Sequence, residues 1–304
     1  MSYTKKVAEI LNNYQNTNAG VKSNICRILM QGRLGGTGRL LILPVDQGHE
    51  HGPDKSFLTN IEAYDPSYHY KLAIDAGLSA YAAPLGFLEA ASENFAGQIP
   101  TILKINSSNS LLNQKNQSIN GSVKEALRLG CSAVGFTIYP GSEYQYDMME
   151  EFKEISKEAT EHGLPSVLWS YPRGPNITKE DETSIDVIGY AAHIAAQLGA
   201  HIIKVKPPTE NISKNELKKT YQDNDIIISK LSSRINHIKK CAFSGKRIVV
   251  FSGGNAKSQE ELFEEIKNIR DGNGNGSIIG RNTFQRPKSE ALKMLNNIID
   301  IYKA

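Results

Sequence analysis

The sequence predicts an α/β chain folded as a (β/α)8 TIM barrel, a single domain preceded by an N-terminal helical extension over residues 1–38. Three observations carry this. Eight short apolar runs recur along the 304 residues, and segments with helix start and stop signals lie between them. The first run is followed by DQGHEHGP, where a doubly wound open sheet would carry a glycine-rich turn.

The runs in order are LLILPVD (40–46), LSAYAAPL (78–85), PTILKIN (100–106), CSAVGFTIYP (131–140), PSVLWSYP (165–172), HIIKVKP (201–207), RIVVFSGG (247–254) and SIIGRN (277–282). Each is β-branched or aromatic-rich, has the length of a buried strand, and lacks the alternation of a strand with one wet face. SVKEALRLG pairs Ser122 with Glu125 as a capping box and stops on Gly130, and SQEELFEEIKNIRDG repeats the pattern with Ser258 and Glu261. SIDVIGYAAHIAAQLGA sets Ile185, Ile188, Ala192, Ala195 and Leu198 at helical spacing. The chain exceeds the ~250 residues typical of such barrels. The excess falls in 1–38 and in a polar stretch, 209–245, and the barrel domain is expected over 39–304. QGRLGGTGR (31–39) precedes a strand rather than following one, so it reads as a flexible connection and not a phosphate loop.

Charge and cysteine content narrow the function. Lys and Arg number 35 against 32 Asp and Glu, a net +3 that is too balanced and dispersed for a nucleic-acid groove or a membrane-surface patch, so a small-molecule ligand is expected. Cys26, Cys131 and Cys241 are too far apart for a disulfide framework or a C-x-x-C motif and are expected as reduced thiols. The polar start MSYTKKVAEILNNYQN lacks an apolar signal segment, and no run approaches the ~20 apolar residues of a membrane span. A cytoplasmic location is the expectation.

Chemistry in such a barrel lies at the C-terminal ends of the strands. Lys204 and Lys206 in IIKVK point the same way, because strand side chains alternate faces. Inside the barrel, burial and the neighbouring cation would lower the lysine pKa and yield a neutral amine able to attack a carbonyl. Both can also be read as surface groups or ion-pair partners of Asp46; two on one face of a buried strand favour chemistry. In WSYPRG, Trp169, Tyr171 and Arg173 share a direction, and a tyrosine beside cations can serve as general acid and base. Filling a barrel layer is the alternative for Trp169 and Tyr171. Gly253 with Gly254, and Gly280 with Arg281, follow the seventh and eighth runs, where barrels place a phosphate.

LPVDQGHEHGP, ILKIN, SAVGFTIYPGS, VLWSYPRG, IIKVK, FSGGNAK and IIGRN, in this order and spacing, resemble the archaeal-type class I fructose-bisphosphate aldolases and their bacterial relatives. The resemblance runs from about residue 39 to 290. It implies reversible cleavage of fructose 1,6-bisphosphate to dihydroxyacetone phosphate and glyceraldehyde 3-phosphate, in glycolysis and gluconeogenesis, through a Schiff base with no metal or other cofactor. Carried over by motif, the Schiff-base lysine falls on Lys204, the proton-transferring tyrosine on Tyr171 and the aspartate that orients the intermediate on Asp46. Trp169, Arg173 and Lys206 resemble substrate-binding neighbours, and Ser252, Gly253, Gly254, Gly280 and Arg281 the phosphate site. The family usually forms homo-oligomers. The stretch after the sixth run and the N-terminal extension are both longer than the family leads one to expect.

Three rival readings stay open: a related Schiff-base barrel lyase or transferase acting on another phosphorylated ketose, a metal-dependent aldolase using His49, Glu50 and His51, and a non-catalytic sugar-phosphate-binding protein. Two imidazoles and a carboxylate without a distant third ligand motif are a thin case for zinc. Within VDQGHEHGP the weight therefore falls on Asp46, with Gln47 and His51 as substrate or phosphate contacts, while His49 and Glu50 are assigned to loop structure. His69, His162, His193, His201 and His237 read as surface or packing residues.

Overall fold

The computed structural model describes residues 3–252 and 258–304, with Ser252 described by its backbone alone. Eight parallel strands close into a barrel in sequence order: β1 (Leu40–Pro44), β2 (Ala80–Pro84), β3 (Thr101–Lys104), β4 (Ala133–Ile138), β5 (Ser166–Ser170), β6 (Ile202–Val205), β7 (Ile248–Ser252) and β8 (Gly276–Ile278). Each of the eight apolar runs supplies one of them. Closure is made by the pairing of β1 with β8, Ile42 opposite Ile278. The runs look uniformly apolar because both faces of every strand are covered. Leu41 and Leu43 of β1 join the layer between strands and outer helices, and Leu40 and Ile42 join the barrel interior.

That interior is continuous with the N-terminal helices Lys5–Asn12 and Ala19–Met30. Their buried faces, Val7, Ile10, Leu11, Val21, Ile25, Ile28 and Leu29, cluster with Leu40, Ile102, Val167, Ile202 and Ile248 at the end of the barrel where the strands begin. Thr4 and Asn18 cap the two helices by accepting from the N–H groups of Val7 and Val21. Each fully buried aliphatic side chain in such a plug contributes about 1.5–3 kcal/mol.

Two expectations change. The 31–39 segment is packed closely rather than flexibly: Gly32 has φ +67°, and a Cβ there would sit 2.2 Å from the Gly77 carbonyl. The 209–245 stretch is not all excess. Its second half, helix Leu231–Cys241, packs between helices Ile185–Gln197 and Gln259–Asp271 and serves as the outer helix between β6 and β7. Ser122 caps helix Val123–Arg128, and Ser258 with Glu261 forms a full capping box on Gln259–Asp271. One feature has no counterpart in the sequence reading: Asn106–Ser107 and Ser118–Ile119 form a small antiparallel pair above β3.

Candidate active site

The interior positions of β3, β5 and β6 change character toward the strand ends. Ile102 is followed two residues on by Lys104, Val167 by Trp169 and then Tyr171, and Ile202 by Lys204. Lys104 is 1% exposed and Lys204 5%, so both ammonium groups are carried into the barrel. Trp169 lies between them, with Lys104 Nζ 5.7 Å and Lys204 Nζ 5.3 Å from its ring. Gly135 of β4 makes room for that indole, since a Cβ there would meet it at 2.8 Å. Tyr171 closes the other side, 5.7 Å from Lys204 Nζ to ring. Among the described residues Lys204 makes no hydrogen bond, whereas Lys104 donates to both oxygens of Asn106, the carbonyl and Oδ1.

Burial pushes the Lys204 amine down from its ordinary value to about 8, with Lys104 and Arg281 adding to the effect and Asp46 and Glu50 opposing it. The cations that help are thus Lys104, a strand group 100 positions earlier in the chain, and Arg281, rather than Lys206. Lys206 lies past the end of β6 and is bound at 2.6 Å to Glu182, which also takes Lys179 at 3.0 Å. Burial alone would raise the Glu182 carboxyl, but the hydrogen bond and charge of Lys206 hold it below its ordinary value.

A cavity of about 340 Å³ opens over Lys204. It gathers Asp46, Gln47, His51, Trp169, Tyr171, Arg173, Lys204, Lys206, Gly280 and Arg281, all of the expected site residues whose side chains the structure describes. Gly253 and Gly254 lie outside the described residues, as does the side chain of Ser252. Among the described residues six cationic side chains line the cavity, Lys55, Arg173, Lys179, Lys204, Lys206 and Arg281, against the carboxylates of Asp46 and Glu50. That excess suits a doubly phosphorylated ligand. Arg173 is fixed across the Tyr139 ring at 4.8 Å and donates to its hydroxyl at 3.2 Å. Gly280 packs so tightly under β1 that a Cβ would sit 2.8 Å from the Pro44 carbonyl and 3.0 Å from Gln47 Nε2. Arg281 opens the helical turn that follows.

The segment after β1 is a helical turn, Gln47–His51, rather than a loop. Helical spacing puts Gln47, Glu50 and His51 on the cavity side. His49 turns away, its Nδ1 3.2 Å from the Ser108 carbonyl. Glu50, assigned to loop structure by the sequence reading, therefore belongs to the site. Its carboxyl is raised to about 7 by burial first and by the Asp46 charge second, against the pull of Lys104, Arg173 and Lys204. The His51 imidazole is pushed below its ordinary value by burial and by Arg281 and Lys55. Glu182 is the group the sequence reading left out, Glu50 was weighed there only as a metal ligand, and Lys104, a strand-end group of ILKIN at an interior position of a buried run, was given no role.

No helix among the described residues is long and apolar enough to cross a membrane. A barrel with a desolvated lysine at the end of its sixth strand invites comparison with known proteins. Residues 40–286 match the DeoC/LacD family aldolase. A probable fructose-bisphosphate aldolase class 1 of Chlamydia muridarum is 39% identical over 94% of this chain and 85% of its own length. The fructose-bisphosphate aldolase class 1 of Thermoproteus tenax is 35% identical over 87% and 89%. A solved Schiff-base-forming fructose-1,6-bisphosphate aldolase, studied through its reaction intermediates, superposes with a TM-score of 0.76 at 31% identity, covering 92% of this chain and 99% of that one. The match spans every strand of the barrel and every residue lining the cavity, and on that extent the chain belongs to the DeoC/LacD family of aldolases.

Proposed function

We infer that the protein is a class I fructose-bisphosphate aldolase that cleaves fructose 1,6-bisphosphate reversibly through a Schiff base on Lys204. The observation that carries this is the setting of Lys204: a buried amine, held between two aromatic rings, with no hydrogen bond among the described residues and a cationic cavity above it. The identity to relatives named as class 1 fructose-bisphosphate aldolases supports the same substrate.

The neutral Lys204 amine attacks the C2 ketone to give a carbinolamine, and loss of water leaves an iminium, a cationic electron sink. Tyr171, packed against the same amine, takes the C4 hydroxyl proton as the C3–C4 electrons flow into the iminium; glyceraldehyde 3-phosphate departs and an enamine remains. Protonation at C3 and hydrolysis free dihydroxyacetone phosphate and Lys204. Asp46 holds the hydroxyls of the carbinolamine. Gly280, Arg281 and the glycine pair Gly253 and Gly254 hold one phosphate, and Arg173 and Lys206 bind the rest of the substrate with Gln47, His51 and Trp169. Fixing both phosphates makes the cleavage intramolecular in effect. We carry a cytoplasmic, homo-oligomeric enzyme as part of this reading, on the strength of the family resemblance, and light scattering tests the assembly.

Borohydride reduction in the presence of dihydroxyacetone phosphate, followed by peptide mass mapping, tests the chemistry. An adduct on Lys204 is expected; an adduct confined to another lysine, or none, sinks the assignment.

A further inference from the structure

We propose that Tyr139 is a positioning residue for substrate choice: its hydroxyl and ring fix the Arg173 guanidinium and both feet of the 108–117 segment, so that a ketose with a phosphate beyond C4 is favoured over one that lacks it. The proposal rests on the Schiff-base reading above and deepens it at the C6 end of the substrate.

Tyr139 follows β4 directly and is 2% exposed. Its hydroxyl meets three side chains: Gln117 Nε2 donates to it at 2.6 Å, Arg173 Nη1 donates at 3.2 Å, and Ser108 Oγ lies at 3.2 Å. The first two groups can only donate, so they occupy the phenol oxygen and its own hydrogen goes to Ser108. Burial pushes the Tyr139 hydroxyl up despite the Arg173 charge, and that hydrogen is therefore kept at neutral pH.

The three partners come from separate parts of the chain. Ser108 follows the short strand Asn106–Ser107 and Gln117 precedes its partner Ser118–Ile119, so one hydroxyl clasps both feet of the segment between them. Ser142, also buried, donates to the Lys115 carbonyl and holds the segment further along. The segment walls a chamber of about 280 Å³ that shares Arg173 with the cavity over Lys204. Arg173 thus stands at the boundary of the two spaces, backed by the Tyr139 ring at 4.8 Å. A guanidinium fixed in this way loses less freedom on binding a phosphate than one that swings.

Register indicates which phosphate it meets. Tyr171 and Arg173 run outward past the end of β5, and Arg173 lies 5.9 Å from the Tyr171 ring. With Lys204 at C2 and Tyr171 at the C4 hydroxyl, the next group outward serves the phosphate past C4, while Gly280 and Arg281 serve the one on C1. Lys179 and Lys206 share the Glu182 carboxylate, whereas Arg173 makes no ion pair among the described residues and keeps its charge for a ligand.

The test compares cleavage of fructose 1,6-bisphosphate and fructose 1-phosphate, with rates scaled to the Lys204 that dihydroxyacetone phosphate and borohydride can trap, so that misfolded protein is not counted. Tyr139→Phe keeps the ring and loses the clasp. It should raise KM for the bisphosphate about 10-fold with kcat within about threefold, and leave kcat/KM for the monophosphate within about threefold. Arg173→Met should lose the same preference, and adding Tyr139→Phe to it should remove nothing more, because the hydroxyl acts through the guanidinium. Arg173→Lys keeps the charge without the fork and should recover no more than about a third of the lost preference. An unchanged preference in Tyr139→Phe, an equal loss on both ketoses, or a further loss in the double variant overturns the proposal. So does full recovery in Arg173→Lys, a result that needs no change at Tyr139. A wild type that gives no Lys204 adduct is a different outcome, which removes the Schiff-base reading and the proposal with it.

Discussion

Two buried lysines sit at opposite ends of the barrel, and each has its amine pushed down to about 8 chiefly by burial. Lys239, near the end of helix Leu231–Cys241, donates to the carbonyl of Arg247 and to Asn275 Oδ1, groups that immediately precede β7 and β8, with Arg39 and Lys6 nearby. Lys204 lies at the other end, against Trp169 and Tyr171, under an open cavity. Basicity is altered alike in both; only one has somewhere to direct its lone pair. A depressed pKa thus marks desolvation, and it becomes chemistry where the hydrogen-bonding capacity of the group is left for a ligand.

The sharpest way to break this contrast is to remove each amine in turn. Lys204→Met should lower turnover of fructose 1,6-bisphosphate by on the order of 10⁴-fold or more, because no other group supplies the electron sink. Lys239→Met should leave kcat within about threefold per folded molecule. Steady-state assays on the two purified variants decide the matter, and equal losses would show that position in the barrel does not separate them.

Tyr171→Phe comes next in size. Loss of the phenolic hydroxyl should reduce kcat by about 10²–10⁴-fold, with KM little changed, while the borohydride-trapped adduct on Lys204 still forms. A variant that cleaves normally would move the C4 proton to another residue and leave Tyr171 as wall only.

The difference between the two lysines also explains what could be read in the sequence. The eight strands were legible because burial on both faces writes each as an apolar run, and alternation then placed Trp169, Tyr171 and Lys204 toward the interior. Alternation could not say that β6 ends at Val205, which leaves Lys206 to pair with Glu182 instead of pressing on Lys204. Spacing put Lys104 at a strand end but could not show its approach to Trp169, whose ring takes the room that Gly135 leaves in the closed barrel. Glu50 was misjudged for a local reason. DQGHEHG carries no apolar period from which to recognise a helical turn, yet it is the turn that sets Glu50 beside Gln47 and His51 on one side and directs His49 away. Lys239 gave no signal either, since KK at the end of an amphipathic segment ordinarily stays in water.

The smallest expected effect tests the closed end. Tyr14, 2% exposed between the two N-terminal helices, donates its hydroxyl to the His201 carbonyl and accepts the Ile248 N–H at 3.0 Å, so one side chain satisfies backbone groups at the start of β6 and β7. Its ring stacks on His201 at 5.9 Å, and Arg247 lies 5.4 Å from its centroid. Tyr14→Phe keeps the ring and strands both backbone groups, a loss of about 1–3 kcal/mol that should appear in denaturant unfolding with the slope unchanged. Turnover per folded molecule should stay at the wild-type value, because among the described residues the hydroxyl bonds to the strand beginnings and the chemistry lies at the strand ends. A fall in kcat without a fall in stability would mean that the plugged end is wired to the open one, and the separation drawn from Lys204 and Lys239 would then fail at its quieter partner.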